Sequence, residues 1–170
     1  QNASGTVEFL GALDEPLPEG LRSRAPFQFI LCTEVLEHVP RWPEAFTNLV
    51  DLLAPGGRLL VTCPHIWIPH EEPYDFHRPT SLALEFYARR AGLRILDLDR
   101  LGDGYDVLGT VLAVTRVRPA GNLLLWVPAL PAYMARRLAL PLLRARWMRR
   151  IVALRTPLYL STIGVFEKNR

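Results

Sequence analysis

Two short runs, FQFILC (27–32) and RLLVTC (58–63), flank an amphipathic stretch, and this arrangement restricts the fold more than any other feature of the chain. Each run is apolar on consecutive rather than alternate residues, as in strands covered on both faces. Between them, WPEAFTNLVDLL (42–53) places Phe46, Leu49, Val50 and Leu53 on one side of a helix, with Pro43 suited to its first turn. APGG (54–57) ends that helix, glycine supplying the left-handed residue. Strand, crossover helix and strand in this order predict a parallel pair with a right-handed connection.

The same reading extends along the chain. VEFLGAL (7–13) reads as an early strand and DEPLPEG (14–20) as a loop. EVLEHV (34–39) is a short helical piece stopped before Pro40. Residues 64–79 form a long loop with four prolines; Thr80 caps a helix to Ala91, and Gly92 closes it. LRILDLD (93–99) is a further strand, so the sheet is expected to be largely parallel. DVLGTVLAVTRV (106–117) fits helix or strand equally. Residues 122–154 are helical in composition and expected to break at Pro128, Pro131 and Pro141, and 157–167 reads as a closing strand.

Charge divides the chain unevenly. Residues 1–106 hold 9 Arg against 16 Asp and Glu, whereas 107–166 hold 9 Arg and no acid. A basic, Leu- and Trp-rich segment suits an anionic lipid or phosphate, and equally an arginine-rich face packed by its stems on an acidic partner. The longest charge-free stretch, 119–135, carries three prolines and is short for a spanning helix. Two cysteines exclude a disulfide scaffold, and 49% hydrophobic residues exclude disorder.

The run FQFILCTEVLEHVPRWPEAFTNLVDLLAPGGRLLVTCP (27–64) resembles the class I S-adenosylmethionine-dependent methyltransferases. YDFHRPTSLALEFYARRAGLRILDLD (74–99) extends the likeness, and STIGVFEKNR resembles the family's last, antiparallel strand. The resemblance implies a Rossmann-like three-layer α/β sandwich, incomplete at the N-terminus, with a helical insertion before the last strand. It implies that the family's glycine-rich cofactor loop precedes Val7, so that this chain is the C-terminal portion of an enzyme and holds the donor weakly. Residues 1–104 would be the α/β core, 105–155 a basic apolar insertion or cap, and 156–170 the closing strand and tail. Gly102, Gly104 and Gly109 could serve as the cofactor loop of a permuted protein, or as an ordinary turn after a strand.

Sites in open α/β sheets lie beyond the carboxyl ends of the strands. By resemblance, Ala12 and Leu13 would meet the adenine of S-adenosylmethionine, although Ala12 stands where the family often has an acid. Cys32, Thr33 and Glu34 would face its methionine part, with Cys32 and Cys63 otherwise small core residues. All four histidines fall between 38 and 77, and His65, His70 and His77 share the long loop with Glu71, Glu72, Asp75 and Arg78. His77 or His65 is the expected base for an acceptor hydroxyl. Trp67 and Tyr74 are an acceptor wall or ordinary packing. Glu34, Glu37, His38 and His77 could hold a divalent ion, but members with this motif mostly bind none, and no metal is expected.

The resulting expectation is methyl transfer to oxygen of a small-molecule, sugar or lipid-type acceptor, by a cytoplasmic protein touching the membrane peripherally through 116–155. No nucleic acid partner is expected. A non-catalytic methyltransferase-like interaction module and a membrane-surface binding protein are the alternatives.

Overall fold

The computed structural model describes residues 8–115, 126–152, 154 and 156–170. Expectations resting on residues 7, 116–125, 153 and 155, including part of the basic segment, lie outside them, as does the side chain of Arg144. The described residues form two units: one runs to Leu101 and adds Ser161–Arg170, the other is Gly102–Leu160.

The first unit is an open, mixed, Rossmann-like α/β sheet of four strands: β1 (Phe27–Thr33), β2 (Leu53–Pro64), β3 (Leu93–Leu101) and β4 (Ser161–Lys168), in the order β1-β2-β4-β3. β1 and β2 pair in parallel from Phe29↔Arg58 to Thr33↔Thr62. The last strand enters between β2 and β3, antiparallel to both. The antiparallel last strand implied by the resemblance is present, and β1, β2 and β3 share one direction. The expectation of a largely parallel sheet is corrected only in its pairing, since β1 and β2 are the one pair that bonds in parallel among the described strands. β3 points the same way as β2, but β4 takes the place where a parallel neighbour would pair.

A second correction concerns residues 8–13, which form no strand. Among the described residues β1 pairs only with β2, and an extended segment without a ladder partner gains nothing from strand geometry.

One short helix, α1 (Glu19–Arg22), precedes β1. α2 (Trp42–Leu52) buries Trp42, Ala45, Phe46, Leu49 and Leu52, the i, i+3, i+4, i+7 stripe of an amphipathic helix. Lys168 of β4 donates to the carbonyls of Val50 (2.7 Å) and Leu53 (2.8 Å), a cation at the helix's negative end. β2 starts earlier than expected, because residues 54–57 stay in the strand as an irregularity between Phe27 and Phe29. Gly57 is required there: a Cβ would lie 2.9 Å from the Phe27 carbonyl oxygen and 2.8 Å from that of Ala54.

α3 (Ser81–Arg90) is capped by Thr80, whose hydroxyl accepts from the Ala83 N–H at 3.3 Å, and is closed by Gly92 at φ 77°. Tyr87 of α3 stacks on Phe46 and meets Trp42 edge-on, so α2 and α3 share one face of the sheet. That face carries Cys32, Leu59, Val61, Leu93 and Phe166, all buried. Side chains alternate across a strand, so Phe29 and Leu31 point to the other face, where Leu31 is 61% exposed.

The second unit holds α4 (Gly104–Val114), α5 (Trp126–Arg144) and α6 (Arg146–Ile151). The ambiguous stretch from 106 is thus helical. α5 runs through the three prolines instead of breaking. Pro128 falls in the first turn, where a missing N–H costs little. Pro131 and Pro141 each remove one helical bond. The packing of α5 on α4 spans the gap, aided by Arg136, which donates to the carbonyls of Leu112 (2.6 Å) and Ala113 (3.0 Å). Arg149 binds Asp103 and Asp106 at the start of α4. No described helix is long and apolar enough to cross a membrane.

Candidate active site

The carboxyl ends of β1 and β2 lie side by side, and the loops that follow them, 34–41 and 65–80, meet at that end of the sheet. Glu34 makes the turn out of β1 in the left-handed region, at φ 52°. Its N–H donates to the Thr62 carbonyl at 3.1 Å, and its carboxylate accepts from the Thr62 hydroxyl at 2.8 Å. The chain then enters a 3₁₀ turn, Leu36–His38, held by the Trp42 indole N–H donating to the Leu36 carbonyl at 2.8 Å.

Glu37 is fully buried in this turn. Its backbone carbonyl accepts from the N–H groups of Phe76 (2.9 Å) and His77 (3.1 Å), which anchors the second loop to the first. Its carboxyl oxygens have no hydrogen-bond partner among the described residues. Burial raises its pKa above the usual carboxylate range, and Glu34 nearby adds to the effect, because an unsolvated charge there is costly.

Beside Glu37, His38 and His70 approach Nε2 to Nε2 at 3.1 Å, and each lies just under 4 Å from Glu37 Oε1, at 3.8 and 3.9 Å. His38 Nδ1 lies 2.8 Å from the Tyr74 carbonyl. His70 Nδ1 faces Arg78 Nη2 at 3.3 Å and Asp75 at 3.5 Å. Glu37, His38 and His70 are the described group whose donor atoms converge closely enough to hold a metal ion. This is not the set considered from the sequence: Glu34 is engaged with Thr62, and His77 packs elsewhere.

Arg78 organises the rest of the loop. It binds both carboxylate oxygens of Asp75 at 2.5 Å and donates to the carbonyls of Trp67 (3.4 Å), Ile68 (3.0 Å) and His77 (2.7 Å). The guanidinium holds the Asp75 carboxyl down at about 2.

The two expected bases are separated. His65 directly follows β2, and its Nδ1 lies 3.0 Å from the Pro79 carbonyl. His77 packs edge-on against Trp42, ring centroids 5.4 Å apart, and lines a cavity of about 210 Å³ with Pro43, Arg78, Ala83 and Tyr87, between the starts of α2 and α3. Trp67 and Tyr74 are exposed.

Among the expected cofactor residues, Thr33 and Glu34 are exposed at the end of β1 and Ala12 is exposed in the loop before α1. Leu13 is half-buried, its carbonyl accepting from Asn48 at 2.7 Å. The Cys32 side chain points into the core, where burial pushes its thiol up to about 12, and Cys63 is a second buried free thiol. Only the backbone of Cys32 is thus placed to meet a ligand. Exposed polar groups at the end of β1 fit a donor amino acid moiety there.

The Gly102–Gly104 turn is closed to a cofactor. Asp103 itself accepts from the N–H groups of Tyr105 (2.8 Å) and Asp106 (3.0 Å), and a Cβ on Gly104 would fall 2.4 Å from the Thr156 methyl. The N–H groups that such a loop would offer are taken by Asp103, and the space at Gly104 is taken by Thr156.

A family model described as a methyltransferase domain matches residues 7–98, more than half of the chain. The chain belongs to this methyltransferase family. The family's methyl donor is S-adenosylmethionine. An uncharacterised methyltransferase, AN0656, of Emericella nidulans is 34% identical over 108 residues, which is 56% of this chain and 37% of that protein. The chain thus spans well under half the length of this curated relative. Among solved structures, the methyltransferase bound to the Trm112 activator of Haloferax volcanii aligns at TM-score 0.50 and 13% identity, over 99% of this chain and 65% of its own. A methyltransferase of Bacillus halodurans aligns at TM-score 0.50 and 12% identity, over 96% of this chain and 78% of its own. At these identities the likeness concerns the fold.

Sequence reasoning reached the loop and most of its polar residues. It did not reach the meeting of His38 with His70, which are 32 positions apart and carry no shared spacing signal.

Proposed function

We propose that this chain forms the acceptor-facing part of a methyltransferase that moves the sulfonium methyl of S-adenosylmethionine to a hydroxyl of a small-molecule, sugar or lipid-type acceptor. The donor supplies an electrophilic methyl for in-line displacement. The chain's own residues orient the reactants, exclude water and take the hydroxyl proton. Ala12, Leu13, Thr33 and Glu34 line the donor, together with the backbone of Cys32.

The supporting observation is the tether on His65. With Nδ1–H donating to the Pro79 carbonyl, the ring's basic nitrogen is Nε2, and His65 directly follows β2, whose carboxyl end pairs with that of β1 at Thr33↔Thr62. His65 is therefore favoured as the base over His77, which lies against Trp42 on the helical side.

The test uses the full-length protein. S-adenosylhomocysteine binding is measured by calorimetry, and transfer of labelled methyl from S-adenosylmethionine into aqueous and solvent-extracted cell fractions is followed. His65→Ala should keep the binding and lose about 100-fold or more of the transfer, while His77→Ala loses less. Binding without incorporation into either fraction would overturn the assignment in favour of a non-catalytic module.

A further inference from the structure

α5 has two apolar faces. At about 100° per residue, Ala132, Arg136 and Ala139 point one way, toward Leu112 of α4 and Thr115 just after it. Leu130, Met134 and Leu138 follow one another at i, i+4 spacing on the side away from α4, Leu142 continues the row toward its flank, and all are exposed, Leu138 to 62%. A helix resting on a neighbour by one side normally turns polar residues outward. This one turns a row of long aliphatic side chains outward, and Arg137 borders the row.

α6 continues the pattern. Trp147 is 54% exposed and Ile151 is 73% exposed, one turn apart. Arg146 and Arg150 stand next to them, also exposed and also one turn apart. The other described arginines of these helices are engaged: Arg136 with carbonyls of α4, Arg149 with Asp103 and Asp106, and Arg137 with the Tyr133 hydroxyl at 3.1 Å. Arg146 and Arg150 make no ion pair among the described residues. No acidic residue occurs anywhere from 107 to 166 to repel an anion.

We infer that the outward side of α5 and α6 is a docking surface for an anionic phospholipid leaflet. Leu130, Met134, Leu138, Leu142, Trp147 and Ile151 enter the acyl boundary, and Arg146 and Arg150 lie among the headgroups. Exposed apolar side chains bordered by unpaired arginines are the signature of a helix lying in a membrane surface rather than through it. The charge selects the leaflet: each arginine near an anionic surface is attracted, whereas a zwitterionic one offers only the apolar term. A second copy of this chain would bring the same cationic surface against itself.

The experiment is flotation of the full-length protein with vesicles of phosphatidylcholine alone or with about one third phosphatidylglycerol, at low and high salt. The protein should float with the anionic vesicles at low salt, several-fold less with neutral ones, and less at high salt. The double variant Met134→Glu, Leu138→Glu should stay at the bottom of the gradient, as should Arg146→Glu, Arg150→Glu. Ala132→Ser, on the side facing α4, should float like the parent. Absence of flotation at low salt, or flotation unchanged in both double variants, would overturn the inference. So would sedimentation showing that Met134→Glu, Leu138→Glu turns a dimer into a monomer while vesicle binding is absent. The readout needs neither donor nor acceptor, so it stands or falls separately from methyl transfer.

Discussion

His38 and His70 face each other through their Nε2 atoms at 3.1 Å, across 32 residues of sequence. The tautomers follow from the outer nitrogens. His38 Nδ1–H donates to the Tyr74 carbonyl, so its Nε2 accepts; His70 Nδ1 accepts from Arg78, so its Nε2–H donates. One hydrogen bond between the two rings therefore joins the loop after β1 to the loop after β2. His70→Ala should lower stability by about 1–3 kcal/mol in urea denaturation, with the far-ultraviolet circular dichroism unchanged. An unchanged midpoint would show that the ring contact holds nothing together.

Arg78 is the centre of the same loop, joining Asp75, three backbone carbonyls and His70. Arg78→Ala should cost about 2–4 kcal/mol, because it strands a nearly buried carboxylate as well as the carbonyls. Arg78→Lys should recover only part of this, since an ammonium cannot reproduce the planar two-point contact with Asp75. Proteolysis within 65–79 should quicken in both variants, faster in Arg78→Ala.

Two carboxyls give stability opposite dependences on pH. Asp75 is depressed from 3.8 to about 2, so its contribution is complete above the ordinary value and lost as pH falls toward 2. Glu37 is raised above 4.5 by burial. Below that ordinary value it is protonated in both states and carries no penalty. As pH rises through it, the unfolded chain ionises first, and stability falls until the raised value is passed. Glu37→Gln should remove this decline, and Asp75→Asn should flatten the acid limb. Melting temperatures measured from pH 2 to 8 would separate the two effects, and parallel curves for Glu37→Gln and the parent would refute the first.

Gly57→Ala tests the irregularity at the start of β2. The added methyl meets two carbonyl oxygens inside 3 Å, both of them backbone and unable to swing away. The cost should be about 1–3 kcal/mol. Gly92→Ala has open space and suffers only from its φ of 77°, so about 1 kcal/mol is expected. Equal midpoints for the two variants would contradict the close approach.

How much of this could be read beforehand depends on the range of the interactions involved. β1, α2 and the cap at Thr80 are set by neighbours within a few residues, so apolar spacing and a hydroxyl before a helix suffice. The entry of β4 between β2 and β3 depends on pairing Leu59 with Phe166 and Ile95 with Phe166, over separations no local pattern encodes. Residues 8–13 have strand-like composition but no ladder, and composition cannot supply one. In the site, residue types marked the 64–79 loop as polar and histidine-rich. Which histidine met Glu37, which met Trp42 and which met Pro79 was decided by the path of the loop, and that path is fixed by Arg78 and the Glu37 carbonyl.

The position of β4 also bears on how the chain is made. A ribosome releases β1, β2 and β3 first, yet β3 has no place to bind until Ser161–Lys168 emerges and fills the gap beside β2. For the time needed to synthesise the helical stretch between them, the nascent sheet has an unfilled slot with two open rims. Any premature stop before that final strand should leave a chain that chaperones retain and proteases clear.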